Sequence, residues 1–319
     1  MQTSRCIGAA ATVALMLLAG GCATYDARIP ESLPPHVDLA DTPFHPQQQH
    51  HCGPAALTTV LEASGATPEY DAVAERVYVP DLEGSLQVEM MAGARSFDRI
   101  PFRVPGELSA VLAEVEAGHP VLILQNLRVR SFPAWHYAVV VGYDREDETI
   151  LMRSGTERMQ ETSVSKWMRQ WDWAGRWAIV VLEPGELPAQ PDRTAVFRAL
   201  ADFDQNANPA SRLAAWAGAA EHWPDTALVH MGLGNAHYEL GRHEAAVEDF
   251  REALNHEPEH WPARLNLAQV LLELHRYCEG ARALQAATMP FDHPLVEAHG
   301  KLSIELADAC SPVEDPLKM

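Results

Sequence analysis

Basic residues are scarce in this sequence. The 319 residues contain 24 Lys and Arg against 44 Asp and Glu, which gives a formal net charge of −20. Binding to nucleic acid needs a basic surface that neutralises phosphates, so this composition argues against nucleic acid as a partner. The excess of carboxylates indicates a solvated acidic surface on a globular chain with 47% hydrophobic residues.

A hydrophobic run long enough for a transmembrane helix is also missing. The N-terminal apolar run, residues 7–18, is too short to span a bilayer and leads into the small residues of LAGGCAT. This segment resembles a bacterial lipoprotein signal, which implies a signal peptide over residues 1–21, a lipid anchor on Cys22 and an outer-membrane location facing the periplasm. An ordinary secretory signal cleaved nearby is the alternative. The proline-rich residues 22–43 are expected to form a tether.

Two regions of different character follow the tether. Residues 44–182 mix helix and strand patterns, whereas residues 193–310 are helical throughout. The proline-rich segment EPGELPAQPD, residues 183–192, is the predicted linker between them, and residues 311–319 are a tail. Helices are predicted over residues 55–64, 86–96 and 108–117, and strands over residues 121–125, 137–143, 149–153 and 177–182.

The helical region repeats with a period of 34 residues. This period resembles the tetratricopeptide repeat, which implies stacked helix pairs that share a core and end in a capping helix over residues 295–310. The resemblance further implies a groove for a protein partner, lined by Asn235, Tyr238 and Gln269, although the same residues could be plain surface. The columns that keep the period are Trp216, Phe250 and Leu284, and Ala219, Ala253 and Ala287.

Cysteine is sparse, with five residues in the chain. Cys6 leaves with the predicted signal and Cys22 carries the predicted lipid, so the mature chain has three further cysteines in an oxidising compartment. In the repeat register, Cys278 falls near the start of one helix and Cys310 at the end of the next. Antiparallel neighbours bring such ends together, so these two cysteines are candidates for a disulfide. Two separate small core residues are the alternative.

Cys52 stands in the stretch PQQQHHCGPAAL. The Gly-Pro step and the apolar residues behind it predict a helix that begins at this cysteine. A helix N-terminus and a nearby histidine both lower the pKa of a thiol, which suits a nucleophile. His136 is the candidate base because it opens the strongly β-forming run HYAVVVGYD. A small buried core cysteine is the alternative.

These motifs together resemble the bacteriocin-processing cysteine peptidases, family 39. The resemblance rests on a glutamine five residues before Cys-Gly-Pro-Ala and on the distant His-Tyr-Ala-Val-Val-Val-Gly-Tyr. It implies an α+β papain-like cysteine peptidase domain, followed here by the all-α tetratricopeptide-type helical repeat domain. It also implies that Cys52 attacks, His136 transfers the proton and Gln47 stabilises the oxyanion.

The sequence departs from that family at the third catalytic position. The family has Asp or Asn on the strand after the histidine strand, whereas this chain has ILMRSGT there. Ser154 is the candidate to orient the imidazole, and Asp144 lies in the preceding turn. No CxxC or paired HxxxH spacing occurs, so neither a metal nor a cofactor is expected.

Three functions are compatible with this pattern. The first is a membrane-anchored cysteine peptidase that acts on peptides or proteins in the cell envelope, with the repeats recruiting substrate or partner. The second is a lipoprotein adaptor that binds peptide without cleaving it, which the missing Asp favours. The third is a thiol acyltransferase on the same fold.

Overall fold

The computed structural model describes residues 27–310. The predicted signal peptide, Cys22 and the tail at residues 311–319 lie outside the described residues. Among the residues that are described, no helix is long and apolar enough to cross a membrane.

The N-terminal part is built on one antiparallel sheet. Within the described residues the sheet has seven strands in the order β2-β7-β3-β4-β5-β6, and β1 pairs with β4 beyond the end of β3. The strands are β1 (His36–Asp38), β2 (Ile100–Arg103), β3 (Val121–Asn126), β4 (Trp135–Asp144), β5 (Thr149–Ser154), β6 (Glu157–Ser163) and β7 (Ala178–Leu182).

Helices cover both faces of this sheet. Tyr137 and Val139 of β4 face one hydrophobic cluster, and Ala138 and Val140 face the other, as the two-residue period of a strand requires. Because both faces are buried, the central strands are continuous apolar runs. The helices are α1 (Cys52–Ala63), α2 (Tyr70–Val77) and α3 (Gln87–Ser96) on the first face, and α4 (Leu108–Glu116) and α5 (Val164–Asp172) on the second.

The peripheral elements were not predicted from the sequence. Strand β6 is largely exposed and polar, so it carries no hydrophobic pattern. Strand β2 contains Pro101, a residue that interior strands avoid but that an edge strand such as this one tolerates. Helices α2 and α5 were also missed.

The expected tether over residues 22–43 is wrong for its described part. Ile29 is only 3% exposed and belongs to the core beneath the sheet. Strand β1 pairs with residues 142–144 of β4, and Thr42 is buried. Proline here produces turns and extended backbone that pack against the domain, so composition alone suggested a linker where the chain is fixed.

The C-terminal part is a stack of helix pairs. Trp216, Phe250 and Leu284 are all buried and lie on the second helix of successive pairs. The disulfide joins Cys278 at the start of α11 to Cys310 at the end of α12, with Cα atoms 4.8 Å apart. The helices are α6 (Arg193–Asp204), α7 (Pro209–His222), α8 (Ala227–Glu239), α9 (His243–His256), α10 (Trp261–Glu273), α11 (Tyr277–Gln285) and α12 (Val296–Cys310).

The first repeat helices share a core with the sheet domain. Leu200 and Phe203 of α6 belong to the same hydrophobic cluster as Phe102 of β2. At the surface, Arg95 donates to Asp202 over 2.9 Å. The segment 183–192 has no helix or strand, yet the Glu114 carboxylate accepts a hydrogen bond from the Ala189 N–H over 3.0 Å. The two parts are therefore packed together and not joined by a free hinge.

A close contact between α8 and α9 gives a stability prediction. A Cβ added to Gly234 would lie 2.6 Å from a ring carbon of Phe250, whereas a Cβ on Gly300, also helical, would meet nothing within 4 Å. We expect Gly234→Ala to lower the free energy of unfolding by about 1–3 kcal/mol through overpacking. Gly300→Ala should raise it by up to about 1 kcal/mol through helix propensity. Urea unfolding of both variants checks this, and equal effects would contradict the packing described.

Candidate active site

Cys52 is the first residue of helix α1 and is partly exposed. The residue before it, His51, makes no side-chain cap, and the first turn contains no acidic residue. The positive end of the helix therefore remains available to the sulfur. Gly53 is required here because a Cβ would overlap the Ser85 side chain. Pro54 fits the first turn, because N–H groups there have no acceptor within the helix and the lack of one on proline costs no hydrogen bond.

His136 enters the site from strand β4, whose start lies against the first turn of α1. Its side chain is 8% exposed, while Trp135 before it is largely exposed. The backbone N–H of the next residue, Tyr137, faces the sulfur of Cys52 and lowers the pKa of that thiol. This contact holds the start of β4 against α1, and His136 and Cys52 line the same cleft.

A hydrogen bond to Ser154 orients the imidazole of His136. Its Nε2 lies 3.0 Å from the Ser154 Oγ, at the end of β5. This leaves Nδ1 as the ring nitrogen available for proton exchange with the thiol. No hydrogen bond joins Cys52 and His136 in the part of the chain described, and such contacts commonly tighten only when substrate is bound.

The electrostatics of the pair favour two neutral groups. Burial raises the pKa of the Cys52 thiol, and the backbone N–H groups of Tyr137, Gly53 and Cys52 offset this only in part. Burial lowers the pKa of His136. The resting state is a thiol beside a neutral imidazole. The expectation of a net lowered thiol pKa is wrong: the N–H groups at the helix start do lower it, but desolvation of the sulfur is the larger effect.

Gln47 reaches the same cleft. Its backbone N–H donates to the carbonyl of Gly155 over 3.0 Å, which ties it beside Ser154. Its side-chain oxygen is buried without a hydrogen-bond partner among the described residues. Gln48 and Gln49 are exposed, and Gln49 contacts His50. Gln47 and Gln49 both line the cleft, and of these two Gln47 has the buried amide oxygen without a partner among the described residues.

These groups line one open cleft of 1000 Å³ that contains Gln47, Cys52 and His136. The rest of the lining is mixed: polar side chains such as Glu83 alternate with apolar ones, among them Leu82 and Leu86, which are 58% and 46% exposed. A cleft of this size admits an extended peptide segment.

Asp144 takes no part in the site. Its carboxylate lies 3.2 Å from His36 Nδ1 and accepts hydrogen bonds from the N–H groups of Glu146 and Asp147. It ends strand β4, at the opposite end from His136. Turn formation, and not catalysis, explains this residue.

The sequence interpretation overlooked Arg153. This arginine is 3% exposed and donates to the carbonyls of Ala40, Thr42 and Arg158 over 3.0, 3.2 and 2.8 Å. It ties the segment that leads to Gln47 onto the strand that carries Ser154. A single arginine within the apolar run ILMRS was the available signal, since a buried arginine needs several acceptors.

The predicted groove residues lie elsewhere, in the repeats. Asn235, Tyr238 and Gln269 line a cavity of 340 Å³. The Tyr238 hydroxyl and the Gln269 amide both donate to Glu273 Oε1, over 3.0 and 2.9 Å. The structure brings the three residues together in one cavity, whose lining also includes Phe250 and Val270.

Comparisons with known proteins agree with this architecture. The family model described as Peptidase_C39 like family matches residues 39–179, and the tetratricopeptide repeat model matches residues 227–260. No curated protein gives a significant match.

Two solved structures resemble the N-terminal domain. A putative C39-like peptidase from Bacillus anthracis has 17% identity and a TM-score of 0.41, covering 46% of this chain and 98% of its own. The peptidase domain of Streptococcus ComA, a bifunctional ABC transporter involved in a quorum-sensing pathway, has 14% identity and a TM-score of 0.34, covering 44% and 98%.

The chain thus combines a mixed α+β domain with a helical repeat region. Its N-terminal part contains a C39-like domain over residues 39–179, and a tetratricopeptide repeat follows it at residues 227–260.

The neutral pair predicts how Cys52 responds to pH. Its alkylation by iodoacetamide should rise with an apparent pKa above the value of about 8.5 for a free thiol, because burial disfavours the thiolate. The measurement is the alkylation rate against pH, with His136→Ala as the comparison. A thiolate that forms well below pH 7 and depends on His136 would show an ion pair at rest and contradict this assignment.

Proposed function

We propose that the protein is a cysteine peptidase in which Cys52 and His136 form the catalytic pair. The observation that carries the proposal is the position of the thiol, at an uncapped helix N-terminus inside a cleft that also holds a buried imidazole. A structural core cysteine would not need the cleft, the histidine or the neighbouring amide.

The proposed reaction begins with attack of the Cys52 sulfur on a peptide carbonyl carbon. His136 Nδ1 accepts the thiol proton as the carbon–sulfur bond forms, since its lowered pKa keeps it unprotonated at neutral pH. The Gln47 amide donates to the oxyanion of the tetrahedral intermediate. The imidazolium then protonates the leaving amine, which leaves a thioester, and water activated by His136 releases the acid.

Ser154 has the role of a positioning residue in this scheme. If Nε2–H donates to the Ser154 oxygen, Nδ1 carries the lone pair that the reaction requires. A hydroxyl can also donate, so it selects this tautomer less strongly than a carboxylate, which only accepts. The site is therefore expected to be slower than one with Asp at this position.

We further propose that the protein acts in the bacterial cell envelope, anchored by a lipid on Cys22, with the repeats binding substrate or partner protein. The disulfide between Cys278 and Cys310 supports an oxidising compartment. The cavity that contains Asn235, with both polar and apolar side chains in its lining, supports a protein-binding role for the repeats.

A non-cleaving adaptor is the second candidate. It is favoured by the identity of the group that hydrogen-bonds to His136 Nε2, which is the hydroxyl of Ser154 and not a carboxylate or amide. A thiol acyltransferase would use the same thioester, with an amine in place of water. Product analysis separates the three functions.

The Gln47 assignment gives a paired test of activity. Peptide-library cleavage followed by mass spectrometry should show Cys52→Ala inactive and Gln47→Ala slower by about one to three orders of magnitude, through loss of an oxyanion donor. Gln48→Ala is the matched control and should resemble the parent protein, because Gln48 is exposed. Peptide binding without cleavage in the parent protein would favour the adaptor.

The role of Ser154 is tested through pH dependence. We expect Ser154→Ala to reduce kcat about 10-fold or more, with little change in KM, because the imidazole loses its orientation. Ser154→Asp should raise the pKa of His136 and shift the acidic limb of the kcat/KM profile to higher pH. Unchanged profiles in both variants would show that Ser154 does not act through His136.

A further inference from the structure

The seam between helices α8 and α9 holds a cluster of potential metal ligands outside the cysteine cleft. The cluster consists of His230 in the first turn of α8 and of Glu252 and His256 in the last turns of α9. Their ligand atoms all lie within 4.8 Å of one another. Glu252 and His256 are four residues apart and so share one helix face.

His230 is prepared as a ligand by its backbone contact. Its Nε2 lies 2.6 Å from the carbonyl of Pro224, so this nitrogen carries the proton and donates. Its Nδ1 is then an unprotonated acceptor, and this atom is buried without a hydrogen-bond partner among the described residues. An orienting carbonyl on one ring nitrogen and a free lone pair on the other is the usual arrangement of a metal-binding histidine.

A neighbouring histidine shows the contrast. His237, two turns further along α8, pairs with Asp249 of α9 through Nδ1 over 2.7 Å. That histidine has its acceptor, whereas His230 Nδ1 has only the stacked ring of His256, with centroids 5.4 Å apart. A histidine in this seam can therefore have a hydrogen-bond acceptor in the partner helix, as His237 does, and packing alone does not explain why His230 Nδ1 has none among the described residues.

The other two ligands are oriented by hydrogen bonds and are partly exposed. Glu252 Oε2 accepts from the Asn255 amide over 2.9 Å, and Oε1 lies 3.2 Å from His256 Nε2. The side chains of His256 and Glu252 are 23% and 46% exposed. Zinc bonds of about 2.0–2.1 Å place tetrahedral ligand atoms roughly 3.3 Å apart, which rotation of these two side chains can reach.

We propose that His230, Glu252 and His256 bind one divalent transition-metal ion, with zinc as the ion tested. Two imidazoles and one carboxylate suit zinc better than magnesium or calcium, which prefer oxygen ligands. Three protein ligands leave a fourth position for solvent or for a group from a partner. The ion joins α8 to α9 and stabilises the repeat stack.

The test is zinc binding by the full mature chain carrying Cys52→Ala, which removes the competing thiol in the cleft. Equilibrium dialysis at micromolar zinc with excess magnesium should give one zinc per chain. Thermal unfolding should show a higher Tm with zinc than without it. His256→Gln and Glu252→Gln should each weaken binding at least tenfold and remove the rise in Tm. His275→Gln, an exposed histidine away from the cluster, is the matched control and should bind normally.

Circular dichroism of the metal-free variants verifies that they are folded. Both substituted side chains are accessible, so folding should be retained. Absence of zinc binding at micromolar concentration would overturn the proposal. Equal binding by the His256→Gln and His275→Gln variants would overturn it as well, because the ion would then lie elsewhere.

Discussion

The contact between the first turn of helix α1 and the start of strand β4 determines the rest of the site. The helix is buried over residues 53–61, and the strand is central in the sheet. The N–H of Tyr137 thus faces the Cys52 sulfur, and His136, the preceding residue of the strand, lines the same cleft. A packed helix and a buried strand are rigid supports, so the reacting groups are positioned before substrate arrives. Arg153 extends this support to the segment that leads to Gln47.

Burial has two opposing effects on this site. It excludes water from the thiol and the imidazole, and it disfavours the charged form of each. The pair therefore rests in its neutral state, and charge develops only as the carbonyl is attacked. Under these conditions donors to the oxyanion matter more, since a dipole in a poorly solvated site interacts strongly with charge. The Gln47 side chain in the cleft and the free end of α1 are suited to that role.

The central elements were predictable from the sequence because their patterns are local. The run HYAVVVGYD gave a buried strand, the Gly-Pro step gave a helix start, and the period of 34 residues gave the repeats. Strand β6 and the pairing of β1 were not predictable, because these segments are fixed by hydrogen bonds to β5 and β4 and not by a hydrophobic pattern of their own. The state of Cys52 was also missed: the helix end that lowers its pKa is visible in the sequence, whereas the burial that raises it comes from distant residues. Asp144 and Arg153 acquired their roles from tertiary contacts in the same way.

The central claim is that Cys52 is a nucleophile driven by His136. The most direct measurement is labelling with a peptidyl electrophile that reacts covalently with cysteine peptidases, followed by mass spectrometry of the modified peptide. The account predicts one adduct, located on Cys52, that forms rapidly in the parent protein and much more slowly in the His136→Ala variant. Labelling of Cys52 at equal rates in the two proteins, or no labelling of Cys52 while the protein remains folded, would contradict it.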